Sequence, residues 1–449
     1  MKNSITPVPI EEEFKRKATG LVIVLGSLLA ILVVGLLNMQ IMLGDYYEGL
    51  SRNNRMRFMY IKAPRGRIVD RQGVVLADNR PSYNIMVIPE DIADVKNIAR
   101  RVAGLLDKDA QEIEDKIKGA LSRPYDPIYI AKDMSFEQLA RVEMDSFNLP
   151  GISIDAESER DYLYRDLLSH TLGFVGEISA KELKSKGKSG YVQGDVIGKT
   201  GVENVCEDIL RGKKGNIAFE VDALGRKIKV LEERPPIKGG EVKLTVDSRL
   251  QSIAKAALGD KPGAIVAMAP ATGEVLAMAS SPSFDPSIFL SPLTPEMWRE
   301  IMGNPMHPLE NRALRGQYAP GSIFKVIVSL AGLSEGVVLP SDRVFCSGSF
   351  SLGRRTFRCW KKTGHGSVDF IRGLGESCDV YFYTLGRSLG IDLIARYATD
   401  LGLGRPTGIE LNDATGIMPS QAWKRKRFKG GAGKWYPGET INTAIGQGY

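Results

Sequence analysis

Ser322 and Lys325 lie three residues apart in the stretch GQYAPGSIFKVIVSLAGL, and their side chains could together form a covalent catalyst. Pro320 and Gly321 interrupt the chain just before them, and the apolar residues that follow recur at helical spacing. We therefore predict Ser322 at a helix N-terminus, with Lys325 one turn along on the same face. A serine hydroxyl becomes a nucleophile when a nearby base takes its proton, and the positive end of a helix favours the oxyanion formed on a carbonyl.

By itself a Ser-x-x-Lys pattern is a weak signal, because a serine that caps a helix before a surface lysine gives the same letters. A second motif strengthens it. Ser377-Cys378-Asp379 lies between VDFIRGLGE and VYFYTLGRSLG, which have the composition of two apolar helices. We predict a short loop that brings a hydroxyl and a carboxyl group to the Ser-Lys pair, an order of motifs typical of serine acyltransferases that react with penicillin.

A cluster of three cysteines and one histidine occupies the same region. Its members are Cys346, Cys359, His365 and Cys378, with 12, 5 and 12 residues between them. Cys3His is a common structural zinc set, and thiolate and imidazole ligands suit tetrahedral Zn²⁺. Such an ion would hold the loop that carries Ser377 and Asp379. Two alternatives stay open: a disulfide between Cys346 and Cys359 that leaves Cys378 free, or cysteines that are plain core residues.

The elements that position these residues can be read from the spacing of apolar residues. Residues 46–89 alternate apolar and polar side chains and predict strands, whereas residues 92–145 carry helical spacing. The stretch EERPPIKGGE at residues 232–241 predicts a domain boundary. Beyond it, GAIVAMAPATGEVLAMASS predicts a β-hairpin.

One segment near the start excludes a purely soluble protein. ATGLVIVLGSLLAILVVGLLNMQIMLG has no charged residue, and a bilayer core needs about 20 apolar residues as helix. A cleaved signal peptide has a shorter apolar run and a small-x-small site, so we predict a transmembrane helix at residues 18–43. Lysine and arginine are balanced on its two sides and leave the orientation open. The net charge of +7 fits contact with anionic surfaces such as a lipid bilayer, but no module indicates nucleic acid.

The chain resembles the class B penicillin-binding proteins, in particular those of the cell-elongation machinery. The resemblance rests on APRGRIVDRQGVVLA, GKTGVENVCEDILRGKKG, NRALRGQYAPGSIFK, RCWKKTGHG, ESCDVYFY and INTAIGQGY. It implies an α+β fold with a cytoplasmic tail at 1–17, a single N-terminal transmembrane helix at 18–43, an extended, mainly β pedestal at 44–240, and a transpeptidase α/β domain similar to serine β-lactamases at 241–449. It also implies a single-pass protein of the bacterial inner membrane, with its bulk in the periplasm.

The resemblance implies a peptidoglycan D,D-transpeptidase that β-lactam antibiotics inhibit. Ser322 would attack the D-Ala-D-Ala carbonyl of a stem peptide, and an amine of a second stem would resolve the acyl-enzyme. Lys325 matches the general base, and Ser377 and Asp379 match the ends of the second motif, where many relatives carry Asn in place of Asp379. No catalytic cofactor is implied, although relatives hold a structural Zn²⁺ at the cysteine cluster with some aspartate ligands. The implied partners are a RodA-type glycan polymerase and an MreC-type scaffold.

The third motif of this family, Lys-(Ser/Thr)-Gly on a strand after the second motif, is missing before Tyr449. Lys199-Thr200-Gly201 precedes a helix, where Thr200 and Glu203 predict a capping box. Lys362-Thr363-Gly364 lies between the first two motifs without strand-like alternation. We therefore expect a transpeptidase domain truncated at its C-terminus, and a weakly active or inactive fragment of an active enzyme. The alternatives are a non-catalytic module that binds partners of the elongation complex, or a penicillin sensor or β-lactamase.

Overall fold

A computed structural model describes residues 10–43, 46, 56–121, 127–186, 189–221, 227–291 and 293–449. Residues 1–9 of the predicted cytoplasmic tail, and residues 44, 45 and 47–55 at the start of the predicted pedestal, lie outside the described residues. The chain divides into two compact units. The first comprises Met1–Gly66, Asn79–Glu159 and Arg211–Gly240, and the second comprises Arg67–Asp78, Arg160–Leu210 and Glu241–Tyr449.

The N-terminal apolar segment is helical. Helix α1 spans Ile10–Leu37 and continues into a π-helical turn, Asn38–Met42. Within the 29 residues Phe14–Met42, the most apolar stretch of 18 residues has a mean hydropathy of 2.9, and the protein buries none of that stretch. At about 1.5 Å per residue this helix exceeds the roughly 30 Å hydrocarbon core of a bilayer, so it is long and apolar enough to cross a membrane.

The remaining elements follow in chain order. The strands are β1 Met56–Ile61, β2 Ile68–Val69, β3 Val75–Val87, β4 Ile128–Ala131, β5 Ile152–Tyr162, β6 Val175–Glu177, β7 Val196–Gly198, β8 Gly215–Val221, β9 Lys227–Arg234, β10 Val242–Lys243, β11 Gly263–Met268, β12 Val275–Ser281, β13 Val344–Cys346, β14 Ser349–Leu352, β15 Arg355–Arg358 and β16 Gly366–Val368. The helices are α2 Val95–Leu106, α3 Ala110–Ala120, α4 Phe136–Met144, α5 Ser169–Leu172, α6 Ala180–Lys186, α7 Gly201–Val205, α8 Glu207–Leu210, α9 Ser248–Leu258, α10 Pro295–Gly303, α11 Arg312–Arg315, α12 Lys325–Ser334, α13 Phe370–Gly375, α14 Asp379–Leu389, α15 Ile391–Asp400, α16 Gln421–Arg427 and α17 Pro437–Ala444.

The first unit combines an antiparallel sheet with a helical layer. Its sheet has the order β1-β8-β9, and its core lies where α2, α3 and α4 pack beside β4 and the end of β3. Helix α2 illustrates the local cause: Asp94 caps its N-terminus, Ile98, Val102 and Leu106 are buried on one face, and Asp107 ends it with φ of 56°. The helical spacing predicted for residues 92–145 is confirmed in α2, α3 and α4, whereas Ile128–Ala131 within that range form strand β4, so this unit is not only β.

The second unit holds the predicted hairpin and a helical core. Strands β11 and β12 pair antiparallel, as the sequence predicted, and α9 packs on them. The helical core is formed mainly by α12, α14, α15 and α17. Helix α14 is buried along most of its length, and it approaches α17 closely at Gly386, where a Cβ would lie 2.3 Å from the Cβ of Ala444.

The capping box predicted at Thr200 is wrong. Helix α7 begins after Thr200, but the Thr200 side chain makes no capping hydrogen bond. The carboxylate of Glu203 is fully buried and accepts a hydrogen bond from Nε of buried Arg160 at 2.6 Å. A buried guanidinium requires a paired carboxylate, and this requirement outweighs the gain of about 1 kcal/mol from a cap.

Candidate active site

Ser322 lies on a tight turn that leads directly into α12. The turn is a 3₁₀ helix, Gly321–Phe324, so Ser322 precedes the α-helix that begins at Lys325. Ser322 is exposed and Lys325 is completely buried. The amide of Gly321 donates to the carbonyl of Gly446 at 2.9 Å, and a Cβ on Gly446 would lie 2.1 Å from the Gly321 oxygen. Only glycine fits at residue 446, which lets the chain after α17 support the serine turn.

The periodicity of α12 predicted its existence but not its buried face. Of the four residues that define the apolar spacing, Ile323, Val326 and Leu330 are 74%, 60% and 42% exposed, and Ile327 is partly buried against the helical core. The buried residues are Phe324, Lys325, Val328, Ser329 and Ala331. This rotation points Lys325 inward, to the helices that carry the second motif.

The second motif lies in the predicted loop between two helices. Glu376, Ser377 and Cys378 join α13 to α14, and Asp379 is the first residue of α14. Ser377 adopts φ of 53°, a left-handed conformation that costs free energy for a residue with a side chain. The carbonyl of Ser377 accepts hydrogen bonds from Nζ of Lys325 at 3.0 Å and from the indole of Trp360 at 3.1 Å. These two bonds hold the loop in this conformation.

The four predicted catalytic side chains form one hydrogen-bonded chain. The Ser377 hydroxyl lies 2.8 Å from Oγ of Ser322 and 3.0 Å from Nζ of Lys325. Nζ of Lys325 also lies 2.7 Å from Oδ1 of Asp379. Among the described residues, the link from Ser322 to Lys325 therefore passes through Ser377. The three acceptors around Nζ match the three N–H bonds that a lysine ammonium can donate.

Trp360 is a residue of this site that the sequence analysis missed. Its backbone amide donates to Oδ2 of Asp379 at 2.9 Å, and its indole N–H lies 3.1 Å from the carbonyls of both Glu376 and Ser377. Trp360 and Lys325 therefore both hold Ser377 and Asp379, through the Ser377 carbonyl and the two oxygens of the Asp379 carboxylate. The available signal was its position beside Cys359, within the RCWKKTGHG stretch.

The hydrogen-bonded chain opens onto a cleft of about 610 Å³. The cleft is lined by Ser322, Arg358, Cys359, Trp360, Ser377, Asp379, Tyr383, Ile445 and Gln447. Burial, with the nearby Asp379 carboxylate, raises the pKa of Tyr383, so its phenol stays protonated and donates to the carbonyl of Arg358 at 3.0 Å. The cleft thus presents an exposed hydroxyl backed by buried charge.

The predicted metal ligands lie beside this cleft, and the structure brings all four together. Cys346, Cys359, His365 and Cys378 are buried, and their ligand atoms lie within 4.8 Å of one another. The described cysteines are all free thiols, so the structure contains no Cys346–Cys359 disulfide. Nδ1 of His365 lies 3.6 Å from Sγ of both Cys346 and Cys359. Tetrahedral Zn²⁺ with bonds of about 2.3 Å to sulfur and about 2.0 Å to nitrogen sets these atoms about 3.6 Å apart, so the residues fit the ion.

The second Lys-Thr-Gly copy belongs to this cluster and lies in a loop between β15 and β16, outside any strand, as predicted. Gly364 has φ of 77°, and a Cβ there would lie 2.2 Å from the carbonyl oxygen of Cys346. A Cβ on Gly348 would lie 2.2 Å from the carbonyl oxygen of Lys362. The two turns that carry Cys346 and Cys359 therefore pack backbone to backbone, and Lys362-Thr363-Gly364 forms scaffold.

Known proteins match this chain over nearly its whole length. Residues 60–244 match the penicillin-binding protein dimerisation domain, and residues 263–449 match the penicillin-binding protein transpeptidase domain. The peptidoglycan D,D-transpeptidase MrdA of Haemophilus influenzae is 34% identical over 96% of this chain and 67% of its own length. MrdA of Escherichia coli K12 is 36% identical over 97% of this chain and 70% of its own length.

Solved structures agree with these matches. Penicillin-binding protein 2 of Helicobacter pylori, in a complex with MreC, aligns with a TM-score of 0.73 and 29% identity, over 88% of this chain and 73% of its own. Penicillin-binding protein 2 of Pseudomonas aeruginosa, bound to WCK 5153, aligns with a TM-score of 0.62 and 32% identity, over 88% of this chain and 67% of its own. The chain spans about two thirds of the length of the curated relatives it matches, 64% of one from Acinetobacter baumannii.

Proposed function

The chain belongs to the penicillin-binding proteins that carry a dimerisation domain followed by a transpeptidase domain, and from this premise we propose that it cross-links peptidoglycan as a D,D-transpeptidase of cell elongation. The observation that carries the proposal is the continuous hydrogen-bonded chain from exposed Ser322 through Ser377 to buried Lys325. A surface serine that caps a helix needs no such chain. We assign the transpeptidase role to the predicted domain at 241–449 and the pedestal role to 44–240.

The distances define a route for the proton of the nucleophile. Lys325 first passes a proton to Asp379, whose Oδ1 lies 2.7 Å away, and becomes a neutral amine. Oγ of Ser322 then attacks the carbonyl carbon of the penultimate D-Ala, and its proton moves through the Ser377 hydroxyl to Nζ of Lys325. A serine ester forms and the bond to the terminal D-Ala breaks. The same hydrogen-bonded side chains, Lys325 and Ser377, return the proton to the departing amine.

The second half of the reaction uses the same hydrogen-bonded side chains. The amine of a neighbouring stem peptide attacks the ester carbonyl, and Lys325 receives its proton through Ser377. The ester bond to Oγ of Ser322 then breaks, the proton passes back from Lys325 through Ser377 to Oγ, and the new amide bond is the cross-link. Trp360 acts as a positioning residue, because it holds Ser377 and Asp379 without touching Ser322 itself.

The test is a reaction of the full-length protein with a stem pentapeptide that ends in D-Ala-D-Ala, together with an acceptor amine. Release of D-Ala and formation of the cross-linked product are expected, and the Ser322→Ala variant should show neither. A matched control is Ser329→Ala, seven residues further along the chain on α12, whose buried hydroxyl makes no hydrogen bond within the described residues. Product formation by Ser322→Ala at the rate of the unchanged protein would refute the proposal.

The cluster of Cys346, Cys359, His365 and Cys378 is proposed to hold a structural Zn²⁺. The 3.6 Å separations support a tetrahedral ion, and Nε2 of His365, which lacks a hydrogen-bond partner, faces Oε2 of Glu376 at 4.0 Å. Cys378 immediately follows Ser377, so the ion would stabilise the strained second-motif loop. Metal analysis of protein purified without chelator should give about one zinc per chain. A Cys346→Ser/Cys359→Ser variant that keeps its zinc and its melting temperature would contradict the assignment.

Placement in the cell is also part of this proposal. Helix α1 is assigned as a single span of the bacterial inner membrane, with the N-terminus in the cytoplasm and the bulk of the chain after the span in the periplasm. A RodA-type glycan polymerase and an MreC-type scaffold are the proposed partners; the Helicobacter pylori relative, whose complex with MreC is solved, supports the second. Protease added to intact spheroplasts should cut the protein after α1, whereas protection of the C-terminal region would reverse the orientation.

A further inference from the structure

Most of the net positive charge of the chain lies in one short segment. Residues 414–438 contain six lysines and arginines and no aspartate or glutamate, so they carry +6 of the net +7. Five of the six side chains are exposed on and just after α16. They are Arg425, Lys426, Arg427, Lys429 and Lys434, and with the exposed rings of Phe428 and Tyr436 they define the basic-aromatic surface.

The sixth cation, Lys424, anchors this surface to α17. Lys424 is 5% exposed and pairs with the carboxylate of Glu439, in the first turn of α17. Its Nζ lies 5.7, 5.5 and 5.7 Å from the ring centroids of Trp435, Tyr436 and Tyr449. Because its charge is neutralised inside a box of rings, Lys424 fixes the position of α16 relative to α17.

The other five cations have no carboxylate partner in the part of the chain that the structure describes. Two of them lie over exposed rings instead: the guanidinium of Arg427 is 5.9 Å from the centroid of Phe428, and Nζ of Lys434 is 5.8 Å from that of Tyr436. Unpaired charges of one sign repel each other, and a solvated surface gains nothing from their concentration. Charge complementarity therefore calls for a ligand with several anionic groups.

The same helix connects this surface to the catalytic cleft. α17 begins just after Tyr436 and carries Glu439 in its first turn, and Ile445 and Gln447, just after its end, line the cleft that contains Ser322. Eight helical residues advance about 12 Å, so Tyr436 of the basic-aromatic surface lies roughly this distance along α17 from the cleft residues after the end of the helix. When one peptide of a polymer occupies the cleft, the neighbouring repeats of the same polymer lie at about this distance from it.

We propose that the basic-aromatic surface binds the carboxylates of the uncross-linked peptidoglycan strand whose stem peptide occupies the cleft. This inference rests on the proposed transpeptidase function and adds a substrate-strand site outside the cleft. The cations contact the carboxylates of neighbouring stems, and the exposed rings pack on the sugars. The site holds the polymer while successive stems enter the cleft.

The test measures binding of soluble, uncross-linked peptidoglycan strands to the full-length protein in detergent, by fluorescence anisotropy of end-labelled strands. The variant Arg425→Gln/Lys426→Gln/Arg427→Gln should weaken binding by about tenfold or more, since three exposed charge contacts are lost. The control Lys181→Gln/Lys184→Gln/Lys261→Gln removes the same charge from exposed positions of the same unit and should bind like the unchanged protein. Strands with chemically amidated carboxylates should also bind weakly.

Acylation by a labelled penicillin separates this inference from the proposed function. The α16 variant should acylate Ser322 at an unchanged rate while it loses strand binding, whereas failure of Ser322 to acylate in every variant would count against the proposed function. Equal strand binding by the two triple variants, or equal binding of amidated strands, would overturn the site. Tighter binding of the short-chain anionic lipid dihexanoylphosphatidylglycerol than of strands at equal charge would overturn it in favour of a membrane surface.

Discussion

The second unit contains two buried lysines, Lys325 and Lys424, that have the same kind of partner, a carboxylate, but different surroundings. Each pairs with a carboxylate, Asp379 for Lys325 and Glu439 for Lys424, and their side chains are 1% and 7% exposed. Lys325 also donates to the Ser377 hydroxyl, which leads to Ser322 at the cleft. Lys424 is instead surrounded by the rings of aromatic side chains.

The difference shows that burial and an ion pair do not make a lysine a catalyst. Reactivity requires a hydroxyl within hydrogen-bond distance and a path from that hydroxyl to solvent. Lys325 has both through Ser377, which leads to Ser322 in the cleft, whereas the hydroxyl nearest Lys424 is the Tyr449 phenol, which donates its hydrogen bond to Glu439 and not to a residue of the cleft. Lys325 therefore serves proton transfer, and Lys424 serves the positioning of α16 on α17.

Replacement of each lysine by methionine is expected to separate the two roles most strongly. Lys325→Met should lower the rate of Ser322 acylation by penicillin about 10³-fold, because the proton of the nucleophile has no base to reach. Lys424→Met should leave that rate within about threefold, since no hydrogen bond joins it to the cleft. Stopped-flow measurement with a fluorescent penicillin gives both rates. Comparable losses of acylation rate in Lys325→Met and Lys424→Met would contradict the different roles given to the two lysines.

Removal of the carboxylates should show the next largest effect, on stability. Asp379→Ala leaves a buried ammonium unpaired and should lower the free energy of unfolding by about 3–5 kcal/mol. Glu439→Ala should cost less, because the Glu439 carboxylate is 23% exposed and water can replace it. Asp379→Asn is the matched control, since it keeps an acceptor for Lys325. Chemical denaturation followed by near-UV circular dichroism checks the order; a larger loss for Glu439→Ala would contradict it.

Ser377 tests the route between Lys325 and Ser322. Ser377→Ala removes the relay hydroxyl and should slow acylation by about 10–100-fold, less than the loss of Lys325 because a water molecule can replace the hydroxyl. Ser377→Gly removes the hydroxyl and also relieves the left-handed backbone at φ of 53°, so it should be slow but more stable than Ser377→Ala. Acylation at the unchanged rate in both variants would mean that the proton takes another route.

The smallest expected effect is the acid sensitivity of the Lys424 box. Burial alone would raise the pKa of Glu439, but hydrogen bonds from Lys424, Tyr449 and the Tyr436 amide lower it below its usual value of 4.5. A lowered folded-state pKa contributes stability that is present above pH 4.5 and is lost as the pH falls through the folded value. The difference in melting temperature between the unchanged protein and Glu439→Gln should therefore shrink from pH 6 to pH 3. A difference in melting temperature that stays constant from pH 6 to pH 3 would argue against a stabilising pair of Lys424 and Glu439.

The sequence predicted the parts of the site that rest on spacing and chemical type. The order of Ser322, Lys325, Ser377 and Asp379 and the ligand types of the Cys/His cluster required no tertiary information. Trp360 and Lys424 were missed because their roles depend on contacts between residues far apart in the chain or on ring packing. The exposed face of α12 was not predictable, because Lys325 is buried on the side where apolar residues were expected.

Contacts between residues far apart in the chain also explain why the capping box predicted at Thr200 is wrong. A Thr-x-x-Glu pattern describes four residues, whereas the carboxylate of Glu203 is committed to Arg160, 43 residues earlier in the chain. Local patterns predict where helices begin, and long-range ion pairs decide what their side chains do. The resemblance to class B penicillin-binding proteins was confirmed by the family matches.

Mass spectrometry of the penicillin-labelled protein tests the central claim most directly. After proteolysis, the penicilloyl group should be found on Ser322 in the unchanged protein and in Lys424→Met, and it should be nearly absent from Lys325→Met under the same conditions. A label on any other residue, or full labelling of Ser322 in Lys325→Met, would contradict the role given to the buried amine.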